Sequence, residues 1–489
     1  VSLRRHVYLV VFVYLVAFVA KAGMILANGD FACTPFTFAT GVTMATRSTI
    51  MDTNSFRAEH ADGLDAATRK LTDKRSKVLG ESYRLFYRKP VHLVRGEGQY
   101  VWDAAGDKYL DVYNNVASIG HCHPAVIEAV NQQMKMLNTH TRYLHERILD
   151  YTEELLATTP DAIDRAMYMC TGSEANDLAI RVARAFSGGT GIIVSQEAYH
   201  GTSDLTSGVS PALGSGQPLA ATTRLVSPPD AYRVNAPDLG EWFANEIQQQ
   251  IDDMKAHGIK FAGFLADSIF SSDGVLPNPR GFLQKAVDVV HANGGIFIAD
   301  EVQPGFGRTG DAFWGFARHG VVPDVITTGK PMGNGIPVSG LLAKSDVLAA
   351  FSDEIPYFNT FGGNPVAMAA AQAVLTVIKE EGLQEHSRVV GARLLSELQK
   401  LMDRHESIGD VRGAGLFIGF ELVQDRASKT PDKALALDLI EKLREHRVLT
   451  SVAGPYGNVL KLRPPLAFQE ADIDWLVGAL DKSLSELGR

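Results

Sequence analysis

The sequence predicts an α/β fold, with a largely parallel sheet covered on both faces and a smaller α+β part. Three observations predict it. Five short apolar runs are followed by turn residues: Ala166 to Cys170, Gly191 to Ser195, Phe261 to Ala266, Gly295 to Ala299 and Asp324 to Thr328. Between several of them lie segments of helical spacing, such as Glu174 to Phe186 and Phe282 to Asn293. Polar clusters directly follow three of the runs: Thr171-Gly172-Ser173, Asp300-Glu301 and Lys330. Continuous apolar strands alternating with helices imply a parallel sheet buried on both faces. Such sheets bind ligands at the carboxyl ends of their strands.

Along the chain, residues 1–50 stand apart. Arg4, Arg5 and His6 precede an apolar run from Val7 to Ala20, the pattern of a signal peptide or anchor. The alternative reading, and the one adopted, is upstream sequence ahead of a start at Met51, which opens a polar stretch. Either way the segment is left out of the fold. Ser55 to Lys77 is rich in charge and alanine and reads as an exposed helix. Val91 to Asp111 reads as two short strands, with turns at Gly96-Glu97-Gly98 and Ala105-Gly106-Asp107. The five apolar runs follow. After about residue 375 the pattern changes. Helices are predicted from Ala367 to Lys379 and Glu385 to Arg404. Paired strands follow around Gly413-Ala414-Gly415, then helices from Ala434 to Arg444 and Glu470 to Leu487. The expected division is an extension (1–50), an N-terminal segment of a small domain (51–115), a large domain (116–375) and a C-terminal small domain (376–489).

Composition excludes several classes. Hydrophobic residues at 45% and charged residues at 21% are ordinary globular usage, not that of a disordered chain. A net charge of −9 argues against general nucleic-acid binding. The three cysteines, Cys33, Cys122 and Cys170, form no Cys-x-x-Cys pair. That pattern points to a reducing, cytoplasmic compartment and to no metal site. Residues 51–489 carry no pattern for a membrane span.

Three places carry chemistry. Lys330 ends an apolar strand and opens the glycine-rich loop Gly329-Lys330-Pro331-Met332-Gly333-Asn334-Gly335. A lysine so placed can be desolvated into a Schiff-base nucleophile, or it can be a solvated cation. Asp300, closing a buried strand, needs a partner: a protonated ring nitrogen of a cofactor, a helix cap or an ion pair. Thr171-Gly172-Ser173-Glu174 joins a strand to a helix. It can cradle a phosphate on its first-turn amides, or form a capping box from Thr171 and Glu174.

In combination these features resemble the class III aminotransferases of the fold-type I pyridoxal-phosphate superfamily. The resemblance runs from about Tyr83 to the end. It rests on Asp300-Glu301-Val302-Gln303-Pro304-Gly305-Phe306-Gly307-Arg308-Thr309-Gly310, the lysine loop, and Gly120-His121-Cys122-His123-Pro124. It implies a large domain with a mostly parallel seven-stranded sheet, a smaller α+β domain, and pyridoxal 5'-phosphate as cofactor. Lys330 should hold the cofactor as a Schiff base and act as general base, and Asp300 should keep the ring nitrogen protonated. Gly172 and Ser173 should bind the phosphate. Tyr199 and Val302 should pack on the two ring faces, and Gln303 should reach the ring oxygen. Thr360 should reach the phosphate of a neighbouring subunit, which makes the active site a property of a homodimer or a higher assembly. Arg463 should take the substrate carboxylate. The implied reaction moves an amino group from an amino acid or amine to a 2-oxo acid, ping-pong through pyridoxamine phosphate.

The chain departs from the family pattern before the aspartate. Many members carry a glutamate that pairs with the carboxylate-binding arginine, and here Asp267-Ser268-Ile269-Phe270-Ser271-Ser272 puts Ser272 at that place. Arg463 should therefore stay available to anions, against specificity for 4-aminobutyrate or ornithine. The stretches Tyr113 to His121 and Asn138 to His145 are similar to the branch that holds alanine–glyoxylate aminotransferase 2-like proteins and amino-alcohol phosphate phospholyases. The alternative reaction is thus elimination of phosphate from a phosphorylated amino alcohol or hydroxylysine, with Arg142 and Arg463 as candidate donors to that phosphate. A dehydrogenase fingerprint is not matched, because Gly333-Asn334-Gly335 lacks the third glycine.

Overall fold

The computed structural model describes residue 49 and residues 52–488. The expected extension, residues 1–50, lies outside the described residues except for Thr49. Among the described residues, no helix is long and apolar enough to cross a membrane, and no group of three metal-ligating side chains comes together.

The charged N-terminal stretch forms a short 3-10 helix, Ala58–Gly63, and an α-helix, Ala66–Val78. The single exposed helix expected there is interrupted at Leu64-Asp65, because the Asp65 carboxylate accepts from the Ala67 and Thr68 amides and starts a new helix. Three strands follow, Leu93–Glu97 (β1), Tyr100–Asp103 (β2) and Lys108–Asp111 (β3), one more than the two expected.

Seven strands form the main sheet: Arg165–Met169 (β4), Gly191–Ser195 (β5), Thr223–Val226 (β6), Phe261–Ala266 (β7), Ile296–Asp300 (β8), Val325–Thr328 (β9) and Ser339–Ala343 (β10). Their order is β4-β10-β9-β8-β7-β5-β6. All pairings are parallel except those of β10, which runs antiparallel to both β4 and β9. The fold-type I α/β expectation is met. Strands β7 to β10 are buried at every position, the signature of a sheet covered on both faces.

Two strands were not legible in sequence. At the sheet edge, β6 carries Arg224 and is only half-buried, so it shows no apolar run. Strand β10 opens with Ser339-Gly340, which reads as the tail of the lysine loop.

The remaining strands are Ile408–Ala414 (β11), Phe417–Asp425 (β12), Thr430–Pro431 (β13), Val448–Leu449 (β14), Ser451–Ala453 (β15) and Val459–Leu462 (β16). Strand β14 pairs in parallel with β3, so residues far apart in the chain share one sheet. The antiparallel set β11-β12-β16-β15 forms another. The division expected at 375/376 falls inside the helix Pro365–Glu380. We propose a boundary at Gly382, whose φ of +62° separates that helix from Leu383–Met402.

Because β10 is antiparallel to both of its neighbours, β4 runs the same way as β9. The carboxyl ends of β4, β5, β7, β8 and β9 therefore meet at one edge of the sheet. Met169, Ala266, Asp300 and Thr328 close four of these strands, and the polar clusters stand there.

Candidate active site

The strand ends enclose a cavity of about 270 Å³. Gly172, Ser173, Tyr199, Asp300, Val302, Gln303 and Lys330 all line it, so seven of the residues predicted from sequence are brought together.

Asp300 closes β8 and is 5% exposed. Burial alone would raise its carboxyl. Hydrogen bonds from His200 and Asn176, the His200 charge, and the Val302 amide outweigh burial and hold it below the usual carboxylate range. His200 Nδ1 lies 2.7 Å and Asn176 Nδ2 2.8 Å from Oδ2, and Val302 N donates to Oδ1 at 3.1 Å. A charged carboxylate only accepts, so His200 donates from Nδ1. Asn176 Oδ1 in turn accepts from Thr327 Oγ1 at 2.6 Å.

The helix Gly172–Ser187 opens on the cavity. Its capping box is real: Glu174 N donates to Thr171 Oγ1, and Thr171 N donates to Glu174 Oε2. The box leaves the Gly172 and Ser173 amides unused, so the cap and an anion cradle coexist on one helix end. A Cβ on Gly172 would stand 3.1 Å from Val302 Cγ2, so glycine lets Val302 close onto the helix start. Gly201, at φ +143°, passes so close to Ser173 that a Cβ would lie 2.5 Å from its Oγ.

Lys330 follows β9 and faces the same space. Enclosure of its ammonium, together with the Arg463 charge, lowers it from 10.5 to about 8 against the opposing pull of Asp300 and Asp267. The loop after it is tied down by Asn334, whose amide bridges Gly120 O at 2.8 Å and the Ile119 amide at 3.1 Å. That bridge ties the lysine loop to the Ile119-Gly120 stretch.

Gln303 is held from both sides: its Nε2 donates to Ser271 Oγ at 2.7 Å, and its Oε1 accepts from Arg463 Nη1. Arg463 is 6% exposed, lies 4.4 Å above the Tyr113 ring, and has a buried Nε without a partner. Among the described residues no carboxylate lies within ion-pair distance of Arg463.

Three predicted residues do not line this cavity. Arg463 reaches only its Gln303 wall. Thr360 is exposed, and so is Arg142, which stacks 4.2 Å above the Phe358 ring. Arg142 and Arg463 do not converge within one chain, because the Phe358 ring holds Arg142 at the surface.

Sequence reasoning also missed contributors. Asn176 and His200 carry the Asp300 network. Asn176 had a signal, a polar residue on the apolar face of Ala175, Leu178 and Ala179. Asp267 lines the cavity at the end of β7. Lys461, 5% exposed on β16, has its amine driven well below the usual lysine value by burial and by the Arg463 charge.

The class III aminotransferase family matches residues 86–484. The chain is similar to an alanine–glyoxylate aminotransferase 2-like protein of Drosophila melanogaster. The two are 41% identical over 413 residues, 82% of this chain and 84% of that protein. Its fold superimposes on a phospholyase from Arthrobacter in complex with phosphoethanolamine (TM-score 0.82, 40% identity, 85% of this chain and 99% of that one). It also matches a transaminase from the marine bacterium Virgibacillus (TM-score 0.77, 27% identity, 86% and 99%).

The lowered Lys330 amine gives a measurable titration. In the apoprotein, trace acetylation of Lys330 followed by peptide mass spectrometry should rise with pH through a midpoint near 8. A midpoint at the ordinary 10.5 would contradict the enclosed geometry.

Proposed function

The chain belongs to the class III aminotransferase family, whose cofactor is pyridoxal phosphate, and we propose that Lys330, Asp300 and Tyr199 use that cofactor to move an amino group from an amino acid or amine to a 2-oxo acid. One observation carries the assignment of residues: a buried carboxylate kept charged and a lysine amine lowered to about 8 line the same cavity.

The residues fit the cofactor. Asp300 is an acceptor ready for a ring N–H, the Gly172 and Ser173 amides and the Ser173 hydroxyl suit a phosphate, and glycine at 172 leaves room beside Val302. Tyr199 and Val302 offer the faces for a flat ring. Gln303 spends one amide hydrogen on Ser271 and keeps the other for a ring oxygen. When bound, the cofactor supplies the sink for the electron pair left as a bond at the substrate Cα breaks.

The chain's own residues do the rest. Lys330 Nζ, partly neutral near pH 7, takes the proton from the substrate Cα and keeps it for return. Asp300 Oδ1 and Oδ2, fixed by Asn176, His200 and the Val302 amide, hold a negative charge where a ring nitrogen needs one. Arg463 orients the substrate by its carboxylate, since a guanidinium fork matches two oxygens and, among the described residues, no carboxylate lies within ion-pair distance of it.

A second reaction has a specific observation in its favour. Identity to the Arthrobacter phospholyase is 40%, against 27% to the Virgibacillus transaminase. In that reaction Lys330 removes the same Cα proton, the Cβ–O bond breaks, and phosphate leaves with the bonding pair. Single-turnover mixing of the holoenzyme with L-alanine and, separately, with O-phosphoethanolamine decides between them. Loss of the visible cofactor band with L-alanine and no free phosphate supports transamination. Phosphate release with the original spectrum restored overturns it.

The active enzyme is a homodimer with shared sites in this reading. Arg142 and Thr360 are exposed, near Tyr143 (67% exposed), Leu144 (99%) and Phe361 (68%) in the chain, and exposed apolar side chains of this kind suit a subunit interface. Lys330→Ala and Thr360→Ala chains, each poorly active alone, should recover about a quarter of wild-type activity when co-expressed. Half of the dimers are then mixed and each of those holds one intact site, and a mixture no better than its parts would contradict sharing. The unpaired thiols Cys122 and Cys170 suit a reducing cytoplasm, and cell fractionation with the activity as marker tests that placement.

A further inference from the structure

Arg308 is buried at 2% exposure, in the stretch that also carries Asp300 and Gln303. Among the described residues no carboxylate lies within ion-pair distance of it. Its Nη1 donates to Pro464 O, one residue beyond Arg463, and to Leu416 O at 3.3 Å. Its own carbonyl accepts from Ser387 Oγ at 2.7 Å and from Leu416 N at 3.2 Å. The loop is pressed closely onto these partners. Gly310, at φ +74°, would place a Cβ 2.6 Å from Arg388 Cα, and Gly415, at φ +53°, would place one 2.5 Å from Arg308 O.

Burying a guanidinium without a counter-ion is costly. Burial first, and then the Arg463 charge, lower the Arg308 group to about 9. An apolar side chain of similar length would fill the space without that cost. What the guanidinium adds is a directional pair of N–H bonds to two carbonyls, Leu416 O and Pro464 O. The segment of Pro464 also carries Arg463, whose own Nη1 reaches Gln303 Oε1.

We infer that Arg308 is a positioning residue for Arg463: by gripping the Pro464 carbonyl it fixes where the Arg463 guanidinium meets the substrate carboxylate. The inference rests on the carboxylate-binding role proposed for Arg463. Arg308 Nη2 and Arg463 Nε are also buried without hydrogen-bond partners. Two neighbouring like charges disfavour each other, and an anion at Arg463 relieves both.

The test uses two carbonyl reagents on the holoenzyme. Aminooxyacetate carries a carboxylate and O-methylhydroxylamine does not, and both attack the cofactor whatever the natural substrate. The readout is the ratio of their second-order rates, followed on the visible cofactor band. Arg308→Met and Arg463→Met should each lower the ratio at least about tenfold, and Arg308→Lys, which keeps the charge but loses the fork, by less. An unchanged ratio in Arg308→Met beside a collapsed ratio in Arg463→Met overturns the positioning role. An unchanged ratio in Arg463→Met overturns the carboxylate role beneath it. If Arg308→Met does not fold, Arg308→Lys decides, and an unchanged ratio there overturns the inference.

Discussion

The structure turns on one buried charge. Asp300 sits at the end of a strand enclosed on both faces, where an ionised carboxylate is costly unless fully bonded. His200, Asn176 and the Val302 amide supply those bonds. Hydrogen bonds to a charged group contribute about 1.5–3 kcal/mol each, so the set offsets the desolvation. The same bonds align the site. Asn176 stands in the first turns of the helix whose start is Gly172-Ser173, and it also binds Thr327, three residues before Lys330. One network therefore fixes the anion cradle, the carboxylate and the lysine relative to each other.

Around that network the labour is divided. The main sheet supplies the groups that would hold a cofactor, and the segment after β16 supplies the group that would hold a substrate. They meet where Arg463 reaches Gln303. The cofactor side is tied to the sheet, because Asp300 closes β8, Lys330 follows β9 and Gly172-Ser173 follow β4. The substrate side is the irregular segment after β16, Arg463-Pro464-Pro465, whose place depends on what grips it. That asymmetry suits a family in which one cofactor site serves several reactions.

The legibility of the sequence follows the same physics. Lys330, Asp300 and the Gly172-Ser173 cradle were legible because each follows an apolar run and breaks it with a charge or a glycine. Strands β7 to β9 were legible because burial on both faces leaves no polar alternation. Strand β6 was hidden by its position at the sheet edge, where Arg224 meets water. Asn176 and His200 were hidden because what they do depends on a contact across 124 and 100 residues of chain, respectively, which no local pattern records. Arg142 looked like a partner for Arg463 only while both were read as cations in family motifs, and in space the Phe358 ring holds it at the surface.

The central claim is that Lys330, and not another amine, carries the cofactor. Lys461 is the natural rival, as a second buried lysine with its amine driven below the ordinary value. Borohydride reduction of the holoenzyme, followed by peptide mass spectrometry, locks the cofactor onto whichever lysine holds it. The account predicts the added mass on the peptide that contains Lys330 alone. The same mass on the Lys461 peptide, or on neither, would contradict it.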